Sequence, residues 1–110
     1  MKQYLIDELR YEDFEQIKNY MDEHLEASGM DHLYWLPIDP ELLSPMQAEH
    51  KDCHPLYFAV ELRENSISCE LLVRTRTRMK CDCIAYADRQ QRSWLMDSLD
   101  AILEKLKISI

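Results

Sequence analysis

Apolar residues fall at alternate positions over the middle of this chain. Leu56, Phe58, Val60 and Leu62 alternate with Tyr57, Ala59 and Glu61, the period of two that a strand with one buried face requires. After Glu64-Asn65 the apolar phase moves to Ile67, Cys69, Leu71 and Val73. A hairpin folded at Glu64-Asn65 pairs Leu62 with Ile67, Val60 with Cys69, Phe58 with Leu71 and Leu56 with Val73. Every apolar partner then lands on one face, and Asn65 tolerates the positive φ of such a turn.

Spacings of three and four mark helices at either end. Tyr11, Phe14, Ile17, Met21 and Leu25 predict a helix from Tyr11 to about Ala27, ended by Ser28-Gly29. Asp88 with Gln91 forms a capping box for a last helix. Its buried stripe is Leu95, Leu99, Ile102, Leu103 and Leu106, with Trp94 at the margin. Between these helices, Leu33 to Leu36 predicts a short strand. Ser44-Pro45-Met46-Gln47 reads as a second capping box with proline at the first helical position, opening a short helix to about Asp52 that Pro55 stops. Residues 1–9 read equally well as a strand or as helix.

Beyond Val73 the alternation continues through Met79, Cys81, Cys83 and Ala85. Either the strand bends and runs on, or it folds back around Thr75 to Thr77 and sets Cys69 opposite Cys83; we favour the second hairpin. The sum is a single α+β domain over residues 1–110. It has an antiparallel sheet of three to four strands, with the N-terminal and C-terminal helices packed on one face.

Composition narrows the function. The 21 acidic and 13 basic residues leave a net charge of −8, which argues against nucleic acid as a partner. The charge is uneven: residues 1–54 carry −9 and residues 55–110 carry +1. No apolar run approaches the roughly 20 residues that span a bilayer, and Asp7 and Glu8 interrupt any signal-peptide core, so the expected location is the cytoplasm. There the four cysteines should be thiols or metal ligands. Gly29 is the only glycine, which removes phosphate loops, dinucleotide-binding turns and the nucleophile elbow of hydrolases.

Two groups of residues remain as candidates. The first is a basic run, Arg74, Arg76, Arg78 and Lys80, which an extended strand would display on one face. With the Tyr34-Trp35 pair it suits an acidic protein partner or a second copy of the chain. The alternatives are a solvated face paired with the acidic first helix, or a site for phosphate or nucleic acid.

The second group is His50, Cys53, Cys81 and Cys83, which supply four ligands of the type zinc or iron takes; His54 is a further candidate. One condition limits it. Residues two apart on a regular strand are separated by about 6.6 Å. Two sulfurs on one zinc must lie within roughly 4 Å of each other. Cys81 and Cys83 therefore chelate only where the chain turns. Core packing accounts for Cys69, Cys81 and Cys83 with no ion. A catalytic cysteine is disfavoured, because no oxyanion site is legible and Lys80 would point away from Cys81.

The outer sheet face, with Tyr57, Ala59, Leu72, Ile84 and Tyr86, is half apolar, and a second copy is its simplest cover. The reading is thus a non-enzymatic interaction module, homodimeric through the sheet, needing no cofactor, with an unidentified protein as further partner. The alternative is a small metal-binding or thiol-redox protein built on the Cys/His group. A weaker third reading is an anion or nucleic-acid binder using the arginines.

Overall fold

The computed structural model describes residues 2–30, 32–76 and 80–109. Its elements in chain order are β1 (Gln3–Ile6), α1 (Tyr11–His24), β2 (Glu26–Ala27), β3 (Leu33–Pro37), α2 (Pro45–Glu49), β4 (Leu56–Arg63), β5 (Ser66–Glu70), β6 (Leu72–Thr75), β7 (Ala85–Tyr86) and α3 (Arg89–Lys105). Single 3-10 turns lie at Pro40–Leu42 and Lys51–Cys53. The class is α+β with an antiparallel sheet, as expected, but among the described residues the sheet has seven strands rather than three to four. Its main path runs β1-β5-β4-β3-β2; β6 continues along β4, and β7 lies beside β6. Among the described residues no helix is long and apolar enough to cross a membrane.

The central hairpin forms in the expected register near its turn, with Leu62 opposite Ile67 and Val60 opposite Cys69. Farther out it departs: Leu56 pairs with Thr75 and Tyr57 with Arg74, not Leu56 with Val73. Two extra residues are taken up around Leu71. Its amide donates to the carbonyl of Lys2 (3.0 Å) and its carbonyl accepts from Ala87 (2.8 Å), so its backbone is satisfied away from β4. Because the shift is two residues, side-chain parity is kept, and Val73 and Thr75 are still buried.

The expected second hairpin also forms in a different register. β6 meets β7 with Leu72 opposite Tyr86 and Val73 opposite Ala85, so Cys69 does not face Cys83. Among the described residues the next strand after Thr75 begins at Ala85, so the reversal is longer than three residues.

The first helix starts at Tyr11, with the Asp13 carboxylate accepting from the Arg10 amide, but it stops at His24 instead of reaching Ala27. Glu26 and Ala27 instead pair with Trp35 and Tyr34. Gly29 (φ +93°) therefore serves the turn of a β2–β3 hairpin, not a helix cap. The amide of Ser28 donates to Leu33 across that turn. Residues 3–6, without an assignment from sequence, form an edge strand on β5.

The buried apolar side chains form one cluster. It holds Phe14, Ile17 and Met21 of α1, all four even-numbered apolar residues of β4, and Leu95, Leu99, Ile102 and Leu103 of α3. Phe58 stacks on Trp94 at 6.2 Å between ring centroids. α3 is capped as predicted, Asp88 accepting from the Gln91 amide (2.8 Å) and Gln91 accepting from Asp88 (3.1 Å).

Candidate metal centre

α2 begins with the Ser44–Gln47 capping box and ends within two turns, at Glu49. His50 closes it, the 3-10 turn Lys51–Cys53 follows, and the chain enters β4 through His54-Pro55. This short, proline-bounded path places His50 and Cys53 at one end of the sheet. Thr75 at the end of β6 donates its hydroxyl to the carbonyl of Cys53 (2.7 Å, buried), which ties that turn to the sheet.

The return segment arrives from the other side. Cys81 to Ile84 is a turn, closed by the Ile84 amide donating to the Cys81 carbonyl (3.0 Å). That is the condition under which a Cys-x-Cys pair can aim both sulfurs at one point. The ligand atoms of His50, Cys53, Cys81 and Cys83 all lie within 4.8 Å of one another. His50 Nδ1 is 3.0 Å from Cys81 Sγ, and Cys53 Sγ is 3.6 Å from Cys81 Sγ. Two zinc–sulfur bonds of about 2.3 Å at a tetrahedral angle span about 3.8 Å, so the observed sulfur spacing suits that geometry. Three thiols and one imidazole are also the donor set of closed structural zinc sites.

Charge in the cluster is uneven. Hydrogen bonds from the Cys83 amide and thiol, and then from His50, pull the Cys81 pKa down to about 6. Burial, followed by the neighbouring Cys81 and Cys53 sulfurs, pushes Cys83 up to about 12. A divalent cation at the centre would supply the positive charge needed to deprotonate all three sulfurs.

A buried amide network supports the site. Gln47 Nε2 donates to the carbonyl of Cys83 (3.0 Å), while Gln47 Oε1 accepts from Ser44 N (3.0 Å) and from Gln91 Nε2 (2.9 Å). Gln91 Nε2 also reaches the carbonyl of Leu42 (2.9 Å). The capping residues of two helices thus cross-link each other and hold the Cys83 backbone. Both glutamines were legible as caps; nothing in the sequence told that their remaining hydrogen-bonding groups would meet. His54 stands outside the cluster, its Nε2 2.7 Å from the Gln47 carbonyl. Cys69 is likewise separate, fully buried between β4 and β1.

The basic run is not one strand face, since β6 ends at Thr75. Arg74 bonds Glu70. Arg76 pairs with Glu26 (2.6 Å) and lies over the rings of Trp35 and Tyr57, 5.6 and 5.4 Å from their centroids. Lys80 is exposed beyond the strand, and Arg78 lies outside the described residues. Tyr34 and Trp35 point to opposite sides of β3. The Tyr34 ring is buried, with its hydroxyl donating to Asp22, while Trp35 is half-buried at 6.1 Å from Tyr57.

No family model matches this chain, and neither does any curated protein or solved structure compared with it.

Proposed function

We propose that this chain is a small zinc-holding domain in which His50, Cys53, Cys81 and Cys83 bind one ion. The convergence of four ligand atoms within 4.8 Å, from segments some thirty residues apart in sequence, carries this reading. Core packing explains buried cysteines one at a time, but it gives no reason for three sulfurs and an imidazole to share one point. The role that fits a closed four-ligand set is structural: the ion clasps the segment between β6 and β7 to the end of α2. α1 and α3 would then cover the same sheet face, a placement supported by the single buried cluster that joins them to the even positions of β4.

Elemental analysis of untagged protein, purified under reducing conditions without chelator, tests the reading. We expect about one zinc per chain, bound by three sulfurs and one nitrogen. The doubly substituted Cys81→Ser, Cys83→Ser chain should hold none. A cobalt-loaded sample should show sulfur-to-metal charge transfer. A metal-free protein that also fails to take up zinc or cobalt would sink the proposal, and iron in place of zinc would revise the ion but keep the site.

A second reading rests on the opposite sheet face. Trp35 and Tyr57 lie there half-exposed, Leu5 is 48% exposed, and a concavity of about 440 Å³ over Gln3, Leu5, Ala59, Glu61 and Ser68 opens beside them. Aromatic and arginine side chains are the residues that dominate protein interfaces. We infer that a second copy of the chain covers this face, as an interaction module would require. Sedimentation of the intact protein should give a dimer that Trp35→Asp returns to monomer; a monomer at tens of micromolar removes the reading.

A further inference from the structure

The three sulfurs of the cluster are not equally reachable. Cys53 is 2% exposed and Cys83 is fully buried, whereas Cys81 is half-buried. Beside Cys81 opens a groove of about 310 Å³, lined by Glu49, His50, Lys51, Asp52, Cys53 and Cys81. Cys83 does not line it. Of the two cysteines that line the groove Cys81 is the more exposed, and its sulfur lies 3.6 Å from Cys53 Sγ and 3.0 Å from His50 Nδ1.

We propose that the cluster is also a site of oxidation by hydroperoxides, with Cys81 as the sulfur attacked and Cys53 as the one that resolves it to a disulfide. The proposal deepens the zinc reading, since it takes place at the same four residues, but its chemistry needs only the two sulfurs. In the first step the Cys81 sulfur attacks the terminal peroxide oxygen. A sulfur–oxygen bond forms, the oxygen–oxygen bond breaks, and the departing oxygen leaves as water or alcohol after taking a proton. In the second step Cys53 attacks the Cys81 sulfenic acid; the sulfur–sulfur bond forms and the sulfenic oxygen leaves as water. Two thiols lose two electrons and the peroxide gains them.

Geometry selects the pair. Cys53 Sγ is already 3.6 Å from Cys81 Sγ, just beyond the roughly 3–3.5 Å of a near-attack arrangement. A bond between Cys81 and Cys83 would instead close a small ring across a single intervening residue, inside a turn that the Gln47 bond to the Cys83 carbonyl holds in place. Forming the Cys53–Cys81 bond removes two of the four metal ligands. His50 and Cys83 alone cannot hold zinc, so oxidation should release it. Cys69, fully buried in the sheet away from the groove, provides an internal reference thiol.

The experiment is titration of the intact, zinc-loaded protein with hydrogen peroxide, reading zinc release with a chromogenic chelator and mapping disulfides by peptide mass spectrometry. The expected result is loss of one zinc for each Cys53–Cys81 linkage, with Cys69 and Cys83 still alkylatable and full recovery on reduction. In Cys53→Ser protein the linkage should disappear and a dimedone adduct should accumulate on Cys81. A linkage to Cys83 or to another chain, or Cys81 oxidising no faster than Cys69, overturns the inference. Disulfide mapping on the wild-type chain does not depend on any variant folding. It also separates the two ideas. Protein that arrives without zinc, cannot take it up, and still forms the Cys53–Cys81 bond removes only the metal. Protein that keeps its zinc and four thiols under peroxide removes only the oxidation.

Discussion

Cys69 sits opposite Val60 of β4 and Tyr4 of β1, sealed on both sides by paired strands. Burial, with a lesser contribution from Glu70, pushes its thiol from 9 up to about 12. The fold thus favours the neutral thiol. This contribution to stability is complete below the unfolded value and is lost as pH rises from 9 towards 12. Thermal unfolding under reducing conditions should therefore weaken more steeply with alkaline pH in the wild type than in Cys69→Ala, while the two run parallel near neutrality. Parallel curves throughout would mean that water reaches this sulfur. Cys81, the same residue type, is pulled the other way because Cys83 and His50 donate to it. The sequence shows four cysteines; which of them stands alone depends on neighbours distant in the chain, His50 being 31 residues from Cys81 and Tyr4 65 from Cys69.

The elements around the site are joined by glutamine amides. Gln47 and Gln91 each make one side-chain bond to their own helix cap; the others join the two glutamines to each other and to the carbonyls of Cys83 and Leu42. Replacing Gln47 by leucine keeps the volume but strands the amide of Ser44 and the carbonyl of Cys83, and takes from the Gln91 amide one of its two acceptors. Leaving buried polar groups unpaired costs about 1–3 kcal/mol, so urea denaturation should show a loss of about 2 kcal/mol or more for Gln47→Leu. An effect within a few tenths of a kcal/mol would mean that water replaces the network. Capping boxes are local, and both were legible because their residues are three apart. The cross-link was not, since it depends on where two helices dock. The same division holds for the strands. Alternation placed β4 and β5 and their turn, but the two-residue shift at Leu71 follows from bonds to Lys2 and Ala87, which no local pattern contains.

At the scale of the whole molecule, Cys53 and Cys83 belong both to the buried core and to the candidate ligand set. A chain of this length removes roughly two thirds of its unfolded surface from water on folding, enough for a core without a metal staple. Ligand binding to the folded form adds about 4 kcal/mol when the free ligand is a thousandfold above its dissociation constant. A strong chelator should accordingly lower the melting temperature without unfolding the protein. Hydrogen exchange should then quicken over residues 47–54 and 80–87 while the amides of β4 and β5 keep their protection. Exchange that rises uniformly would make the ion part of the global fold, and unchanged exchange would mean that the segment needs no ion.

Periodicity and capping determined much of this protein by themselves: the α+β class, the starts of α1, α2 and α3, the central hairpin near its turn and the strand at Leu33. They did so because those features depend on residues two to four apart. The four candidate ligands could also be named from residue type, together with the condition that Cys81 and Cys83 must lie in a turn. Only the tertiary structure decided that the condition is met, that His50 and not His54 joins the sulfurs, and that Arg76 lies beyond the end of the strand. Those outcomes rest on contacts between segments far apart in sequence, where the bond at Leu71, the Thr75 hydroxyl and the Gln47 amide set the positions.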